Sequence, residues 1–214
     1  AVGAVPLDVQ FNAAESITLK NSSGSMAEDV AQVGGQIEFN TAAANLTGGS
    51  DSLSTMKLSG FDVAQLTATD VTRASGKFAL QSSADMNLAT AQLQAATGTD
   101  LNLQAAGDLA VTSAGAAPVS QQDGLGAHLS FAGDHVSLDT SVQAASGLID
   151  VQAQNGISLG NQAALSVAGR VTDFAGDTVV SDAGTVRLKT VNGDIVTQTG
   201  TVIDVSSPHV DAAS

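Results

Sequence analysis

Residues 147–169 read GLIDVQAQNGISLGNQAALSVAG and contain the pattern that decides the fold. Apolar residues two positions apart occur three times in this stretch, and each pair begins eight residues after the previous one. Alternation with period two predicts a half-buried β-strand, and a step of eight leaves about five residues for a strand and about three for a bend. The pairs are Ile149 with Val151, Ile157 with Leu159, and Leu165 with Val167.

The stretch 184–207, GTVRLKTVNGDIVTQTGTVIDVSS, repeats this plan 37 residues later. Ile149 aligns with Val186 at that offset, and Leu165 aligns with Ile203 after one further residue. A second repeat, of 23 residues, lies earlier in the chain, so the repeating unit contains two strands. In that repeat Phe78, Leu80, Met86 and Leu88 correspond to Leu101, Leu103, Leu109 and Val111.

Short strands that recur with short bends predict an all-β solenoid, in which each strand pairs in parallel with its counterpart one coil later. We expect one continuous unit over residues 1–214, with three short strands in each coil of roughly 20 residues, hence about ten coils. Ile149 is then expected to stack on Leu129. Alternation fails at 24–34 and 113–126, which predicts two insertions, and residues 208–214 form an irregular tail. A pair of β-sandwich domains is the rival architecture, but sandwiches have longer strands and buried aromatics.

Composition agrees with a narrow aliphatic core and excludes several classes of function. Aromatic residues make up only 3% of the chain, and Trp and Tyr are absent. The formal net charge of −14 argues against nucleic acid as a partner, because phosphate must be neutralised by clustered Lys and Arg. No cysteine is present, so disulfides and thiolate chemistry are excluded. The chain contains no apolar run of about 18 residues, the length that a membrane-spanning helix needs, and we expect no targeting signal in the chain as given.

Several acidic residues and histidines are candidate site residues, and each has a simpler interpretation. Asp134 and His135 are adjacent in sequence, with Asp139 and His128 nearby, but neighbours on a strand face opposite ways. We therefore expect turn carboxylates and surface histidines rather than a metal or acid-base site. A row of carboxylates on one outer face, as in β-helix enzymes that act on pectin, is the alternative arrangement. It would consist of Asp100, Asp108, Asp150 and Asp204.

None of the short motifs in the sequence predicts a bound cofactor. The Gly-Gly-x-Gly-x-Asp repeat of calcium-binding β-rolls is missing, which leaves only diffuse Ca²⁺ binding to an acidic surface. GLGAHL at 124–129 lacks the third glycine of a dinucleotide-binding motif and is interpreted as a loop. Asn21 and Asn45 begin formal glycosylation acceptor triplets, which chance explains in a chain rich in Asn, Ser and Thr. We accordingly expect no catalytic, metal or cofactor-binding residues.

The stretches GTVIDVSS, NGDIVTQTG and NGISLGNQAALSVAG resemble the repeats of filamentous-haemagglutinin-type exoproteins, which are bacterial adhesins exported by two-partner secretion. The resemblance covers residues 76–207 well and the earlier part more loosely. It implies a right-handed parallel β-helix, export through an outer-membrane transporter, and a secreted or cell-surface location. The Asn-Pro motifs of that family's secretion domain are not visible, so the resemblance implies a segment of a longer protein or an unusual member.

The expected function is therefore that of a non-enzymatic structural and adhesive rod, with a carbohydrate or another cell-surface molecule as ligand. The sequence leaves two alternatives open. One is a carbohydrate-active β-helix enzyme, either a polysaccharide lyase or a glycosidase. The other is a filament subunit that assembles by end-to-end stacking, because a parallel solenoid has an open strand edge at each end.

Overall fold

The computed structural model describes residues 6–21, 34–115, 124–174 and 177–208, and in these ranges the chain is all-β. None of these residues forms a helix, so no helix among them is long and apolar enough to cross a membrane. The strands are β1 Val9–Asn12, β2 Ser16–Lys20, β3 Gln36–Thr47, β4 Ser54–Leu58, β5 Val63–Ser75, β6 Lys77–Ser82, β7 Asp85–Thr90, β8 Gln92–Ala95, β9 Asp100–Ala105, β10 Leu109–Thr112, β11 His128–Asp139, β12 Ser141–Gln143, β13 Leu148–Leu159, β14 Ala164–Ser166, β15 Val171–Phe174, β16 Asp177–Val180, β17 Thr185–Thr190, β18 Ile195–Thr197 and β19 Val202–Asp204.

Seventeen of the described strands join one sheet whose strand pairs are all parallel. The other two, β15 and β16, form a separate antiparallel hairpin. Most strands of the large sheet pair with strands from other repeats of the chain and not with the next strand in sequence, as β7 does with β10 and β6 with β9. This is the parallel pairing of counterparts that the short alternating repeats predict.

The parallel pairings form three ladders of strands. Ladder 1 contains β4, β6, β9, residues 128–133, residues 148–153 and β17. Ladder 2 contains β1, residues 36–41, residues 63–68, β7, β10, residues 135–138, residues 156–159 and β18. Ladder 3 contains β2, residues 43–47, residues 71–75, β8, β12, β14 and β19. Long strands such as β13 therefore contribute to two ladders.

The apolar residues of each alternating pair point inward and stack from strand to strand. In ladder 1, Leu129 pairs with Ile149, which pairs in turn with Val186. The expected stacking of Ile149 on Leu129 is thus confirmed. Leu129, Ile149 and Leu159 are all 0% exposed, and Ile157 is 2% exposed. The resulting core is almost entirely aliphatic, in agreement with the scarcity of aromatic residues.

The earlier of the two sequence repeats corresponds to direct pairing between strands. Phe78 pairs with Leu101, and Met86 pairs with Leu109, as that repeat predicts. The step along the chain is not constant, because Ile157 lies between Val136 and Ile195 in ladder 2 and is much closer in sequence to Val136. Ladder 2 consequently stacks eight strands within the described residues, where a uniform step of roughly 20 residues predicted about ten coils. Where the step between paired strands is longer, part of the intervening chain lies outside the ladders.

Two glycines permit close approach of the backbone where the chain enters ladder 1. A Cβ atom at Gly147 would overlap the carbonyl oxygen of Ala127, and one at Gly184 would overlap the carbonyl oxygen of Gly147. The N–H of Thr185 donates to the carbonyl of Gly147 at 2.9 Å, so the ladder pairing continues through this bend. Gly147 and Gly184, which the two repeats align, are thus both positions where the close backbone leaves no room for a Cβ atom.

The strands β17, β18 and β19, which we call the last layer, differ from the layers before them. Among the described strands, their inward residues have a neighbour on one side only. Ile195 and Ile203 are each 43% exposed, and Val205 is 53% exposed. The predicted insertions at 24–34 and 113–126 and the tail at 208–214 lie mostly outside the described residues.

Candidate functional site

The four carboxylates of the alternative outer-face row are divided among three places. Asp100 and Asp150 lie on the outer face of ladder 1, whereas Asp108 directly precedes β10 at the bend that enters ladder 2. Asp204 lies on ladder 3, opposite Ser166. The carboxylate row proposed by analogy with pectin-active enzymes does not form.

Asp134 and His135 come together, contrary to the expectation that adjacent strand residues face opposite ways. The pairing of β11 with β13 shifts register between Gly133 and His135, which turns both side chains toward the same bend. His135 Nδ1 lies 3.3 Å from Asp134 Oδ2 and 3.2 Å from Asp108 Oδ1. Among the residues that the structure describes, this corner cluster is the one group of three His, Asp or Glu side chains with ligand-type atoms within 4.8 Å of one another.

One oxygen of each carboxylate in the corner cluster already accepts a hydrogen bond from the protein. Asp108 Oδ1 accepts from the backbone N–H of His135 at 3.1 Å, and Asp134 Oδ1 accepts from the side-chain amide of Asn155 at 2.7 Å. His135 and Asp108 are well exposed, with side chains 57% and 61% accessible. The cluster is therefore accessible, but each of its carboxylates has a structural partner.

Carboxylates at other bends bind backbone amides of the next repeat in the same way. Asp85 Oδ1 accepts from the N–H of Asp108 at 2.9 Å, and Asp139 Oδ1 accepts from the N–H of Gln162 at 2.8 Å. A charged acceptor satisfies an amide that the ladder leaves without a carbonyl partner. This role explains much of the excess of Asp over Glu, since the shorter side chain reaches the adjacent backbone. Asp139 has this structural role at its own bend and is not part of the corner cluster.

An open groove of about 420 Å³ runs beside the corner cluster. Small residues line it, including Ala132, Gly133 and Ala153. Its other lining residues supply neutral amides, one cation and one carboxylate, contributed by Gln104, Gln152, Gln154, Lys189 and Asp134. These glutamines were not predicted from the sequence, although Gln104 and Gln152 lie at outward positions of strands in the same ladder. An enclosed void of about 10 Å³ among core residues such as Leu19 and Phe39 is too small for a ligand.

The outer face of ladder 1 holds the other described histidine. His128 Nδ1 lies 3.6 Å from Asp100 Oδ1, one strand away. Asp150 Oδ2 accepts from the side-chain amide of Gln152 at 3.0 Å and lies 3.6 Å from Arg187 Nη1. The Asp150 side chain is only 8% exposed, which is unusual for a carboxylate on an outward strand position.

The hydroxyl of Ser206 and its backbone N–H both donate to Asp204 and hold the pKa of that carboxyl below its ordinary value. The hydroxyl of Ser166, in the preceding layer, acts in the same direction, and partial burial opposes these effects. These hydrogen bonds favour the ionised form of Asp204, so its carboxylate is better suited to accept structural hydrogen bonds than to donate a proton.

The comparisons with known proteins identify no relative. No family model, no curated protein and no solved structure matches this chain. The site must therefore be interpreted from its own residues.

Two other sequence features are placed by the structure without gaining a role. Within GLGAHL, residues 124–127 form an irregular segment that leads into β11, in agreement with its interpretation as a loop. Asn45 lies within β3 and is half-buried, and the side-chain amide of Asn21 donates to the carbonyl of Thr55 at 2.6 Å.

Proposed function

We propose that this chain is a right-handed parallel β-helix that serves as a structural and adhesive rod on the bacterial cell surface. The observation that carries the proposal is the combination of buried aliphatic columns with an outer face of small polar side chains. Such an architecture buries its hydrophobic residues in a thin core and exposes a repeating surface along its length. Repetition suits adhesion, because many weak contacts along one rod add up to firm attachment.

The groove beside the corner cluster is the surface best suited to a ligand. Amide side chains such as Gln104 and Gln152 donate and accept hydrogen bonds without a net charge, which matches the hydroxyl groups of a neutral saccharide. A formal net charge of −14 repels acidic polysaccharides. The proposed ligand class is therefore a neutral carbohydrate, bound weakly at each copy and firmly when many copies are displayed.

A binding experiment tests this adhesive role. The chain is coupled at high density to beads, and the retention of the beads on immobilised neutral polysaccharides is compared with that of the free chain. We expect the beads to bind at least tenfold more tightly. The double variant Gln104→Ala/Gln152→Ala should lose the retention, whereas Asn45→Ala, which removes an outward amide from ladder 3, should keep it. Equal loss in both variants, or no retention on any polysaccharide of the panel, would contradict the proposal.

Export through a dedicated outer-membrane transporter belongs to the same proposal and rests on the resemblance of the repeats. Coexpression in a Gram-negative host with such a transporter, joined to its matching secretion signal, provides the test. The chain should reach the medium only when the transporter is present. Accumulation in the periplasm in the presence of an active transporter would argue against this route.

Assembly of copies end to end is a further part of the proposal. The last layer exposes Ile195, Ile203 and Val205, and at the opposite end β1 and β2 pair only with β3 within the part of the chain that the structure describes. Both ends offer parallel ladder edges, so a second copy continues the stack in the same strand direction. Sedimentation velocity should show species that grow with concentration, and Ile203→Asp should suppress them. A wild-type chain that stays monomeric at millimolar concentration would exclude this assembly.

A carbohydrate-active enzyme is the second candidate, because the Asp108, Asp134 and His135 cluster adjoins the groove. Against it stand the hydrogen bonds that already occupy both carboxylates. Incubation with neutral and acidic polysaccharides, followed by measurement of reducing ends and unsaturated products, distinguishes the two functions. We expect no product above a control without protein. Turnover that Asp134→Asn abolishes would favour the enzyme.

A further inference from the structure

The strand pairings line up one set of residues at the bend that enters ladder 2. Each of these residues directly precedes the first inward residue of its strand segment and lies beside its counterparts in the adjacent layers. We call this set the bend column. In chain order its members are Asp8, Gln36, Val63, Asp85, Asp108, His135, Gly156 and Asp194.

Three aspartates of the bend column bind the backbone of the next member in the same way. Asp8 Oδ1 accepts from the N–H of Gln36 at 3.0 Å, and Asp85 Oδ1 accepts from the N–H of Asp108 at 2.9 Å. Asp108 Oδ1 accepts in turn from the N–H of His135 at 3.1 Å. In each case the carboxylate reaches toward the later layer, and the N–H points toward the earlier one. The bend column therefore has a direction.

The two ends of the bend column carry complementary groups. Asp194, its member in the last layer, is exposed, and its carboxylate has no hydrogen bond within the described residues. At the other end, the N–H of Asp8 has no acceptor within the same ranges. Its counterparts at Gln36 and Asp108 point toward the preceding layer, so the N–H of Asp8 points away from β3. One end thus offers a charged acceptor and the other a backbone donor.

The inward residues at the two ends are matched in the same register. Ile195 belongs to the ladder 2 column that begins with Val9. Ile203 belongs to the ladder 3 column that begins with Ile17. All four side chains are at least partly exposed. A second copy one strand spacing beyond the last layer covers apolar residues with apolar residues, and ladders 2 and 3 continue across the junction.

We propose that copies join end to end in one register, in which the Asp194 carboxylate of one copy accepts a hydrogen bond from the Asp8 N–H of the next. This contact rests on the end-to-end assembly proposed above and specifies its register. The two carboxylates then lie one strand spacing apart, as those of Asp85 and Asp108 do within the chain. A slip of two residues would leave the acceptor without its donor. The occupant is a second copy, because its first layer has the donor and the apolar columns at matching positions.

Cysteine crosslinking tests the register, since the chain contains no cysteine of its own. Gln10 and Val196 follow Val9 and Ile195, so the proposed junction places them side by side on the outer face. A mixture of Gln10→Cys and Val196→Cys chains should form mixed disulfide dimers at least tenfold faster than a mixture of Asn12→Cys and Val196→Cys chains. Asn12 lies on the same face two residues further on, which separates the Cα atoms by about 8 Å, too far for a disulfide.

Sedimentation velocity tests the hydrogen bond itself. Asp194→Ala removes the acceptor and should weaken association about tenfold. Asp182→Ala removes the same charge from an exposed position that directly precedes the loop into β17 and lies outside the bend column, and it should change association less than twofold. General repulsion between acidic copies predicts the opposite sign, since both variants would then associate more tightly. Thermal unfolding of dilute samples should give the wild-type Tm for both variants.

The outcomes separate this contact from the assembly it rests on. A wild-type chain that stays monomeric overturns the assembly and the contact together. Assembly of unchanged strength in Asp194→Ala, or equal weakening in Asp182→Ala, leaves end-to-end assembly standing and overturns the contact. Faster crosslinking through Asn12→Cys than through Gln10→Cys likewise overturns the register alone.

Discussion

The strands β13 and β17 follow the same alternation of apolar and polar residues, yet they differ in burial. In β13, Ile149 and Val151 are 0% exposed, because strands of ladder 1 lie on both sides of them. Their counterparts in β17, Val186 and Leu188, are only partly buried and have a paired strand on one side. The sequence pattern thus sets the direction of a side chain, but the number of adjacent strands sets how much water it loses.

The largest expected effect comes from placing a charge in an inner layer. Leu159 is 0% exposed and pairs with Leu138 on one side and Thr197 on the other. Leu159→Asp buries an unpaired carboxylate and should reduce the free energy of unfolding by more than about 4 kcal/mol.

The matched variant is Ile203→Asp in the last layer, where the side chain is 43% exposed. Its effect should stay within about 1 kcal/mol, because the new carboxylate keeps its hydration. Urea unfolding followed by circular dichroism compares the two variants. If they prove equally destabilised, the contrast between inner and last layers is false.

An intermediate effect is expected from the two glycines that admit the backbone into ladder 1. Gly147→Ala should cost about 2–3 kcal/mol, since the new Cβ overlaps the Ala127 carbonyl between two fixed layers. Gly184→Ala should cost roughly half as much, because the last layer is free to move outward and relieve its overlap with Gly147. Thermal unfolding measures both, and the reverse order would show that the last layer is as rigid as the inner ones.

The smallest expected effect is the titration of Asp204 in the last layer. Because the hydrogen bonds from Ser206 lower its folded pKa, ionised Asp204 contributes stability above its unfolded value of about 3.9. That contribution is lost as the pH falls through the folded pKa. Hydrogen exchange of β19 should therefore be faster in Asp204→Asn than in the wild type at pH 7. The difference should vanish at the lowest pH, and a difference that is independent of pH would exclude this linkage.

Sequence periodicity predicted the inward residues well, because alternation is a local property of the chain. Ile149 on Leu129 and Phe78 on Leu101 required only that like positions of successive repeats pair. The number of layers was predicted less well, since it depends on how much chain leaves the ladders between strands. Gln92 of β8, for example, pairs directly with Ser141 of β12, although β9, β10 and β11 come between them in the chain.

The candidate sites were harder to predict, because both depend on tertiary register. Asp134 meets His135 only because the pairing shifts at Gly133, and no local pattern announces that shift. Gln104 and Gln152 of the groove are distant in the sequence and share a column only through Ala132. A reader of the sequence could have found this column only after fixing the length of every repeat.

The antiparallel hairpin of β15 and β16 shows how the chain can leave the ladders and return. It lies between β14 and β17, and the N–H of Gly184 donates to the carbonyl of Val167 at 2.7 Å, which brings the two ends of the excursion together. The pairing of β14 and β17 within the ladders does not depend on the hairpin between them. This position is therefore suited to grafting. A peptide epitope or a small reporter domain exchanged for the hairpin would be displayed beside the ladders, and the same tolerance gives evolution a place to vary the surface without rebuilding the core.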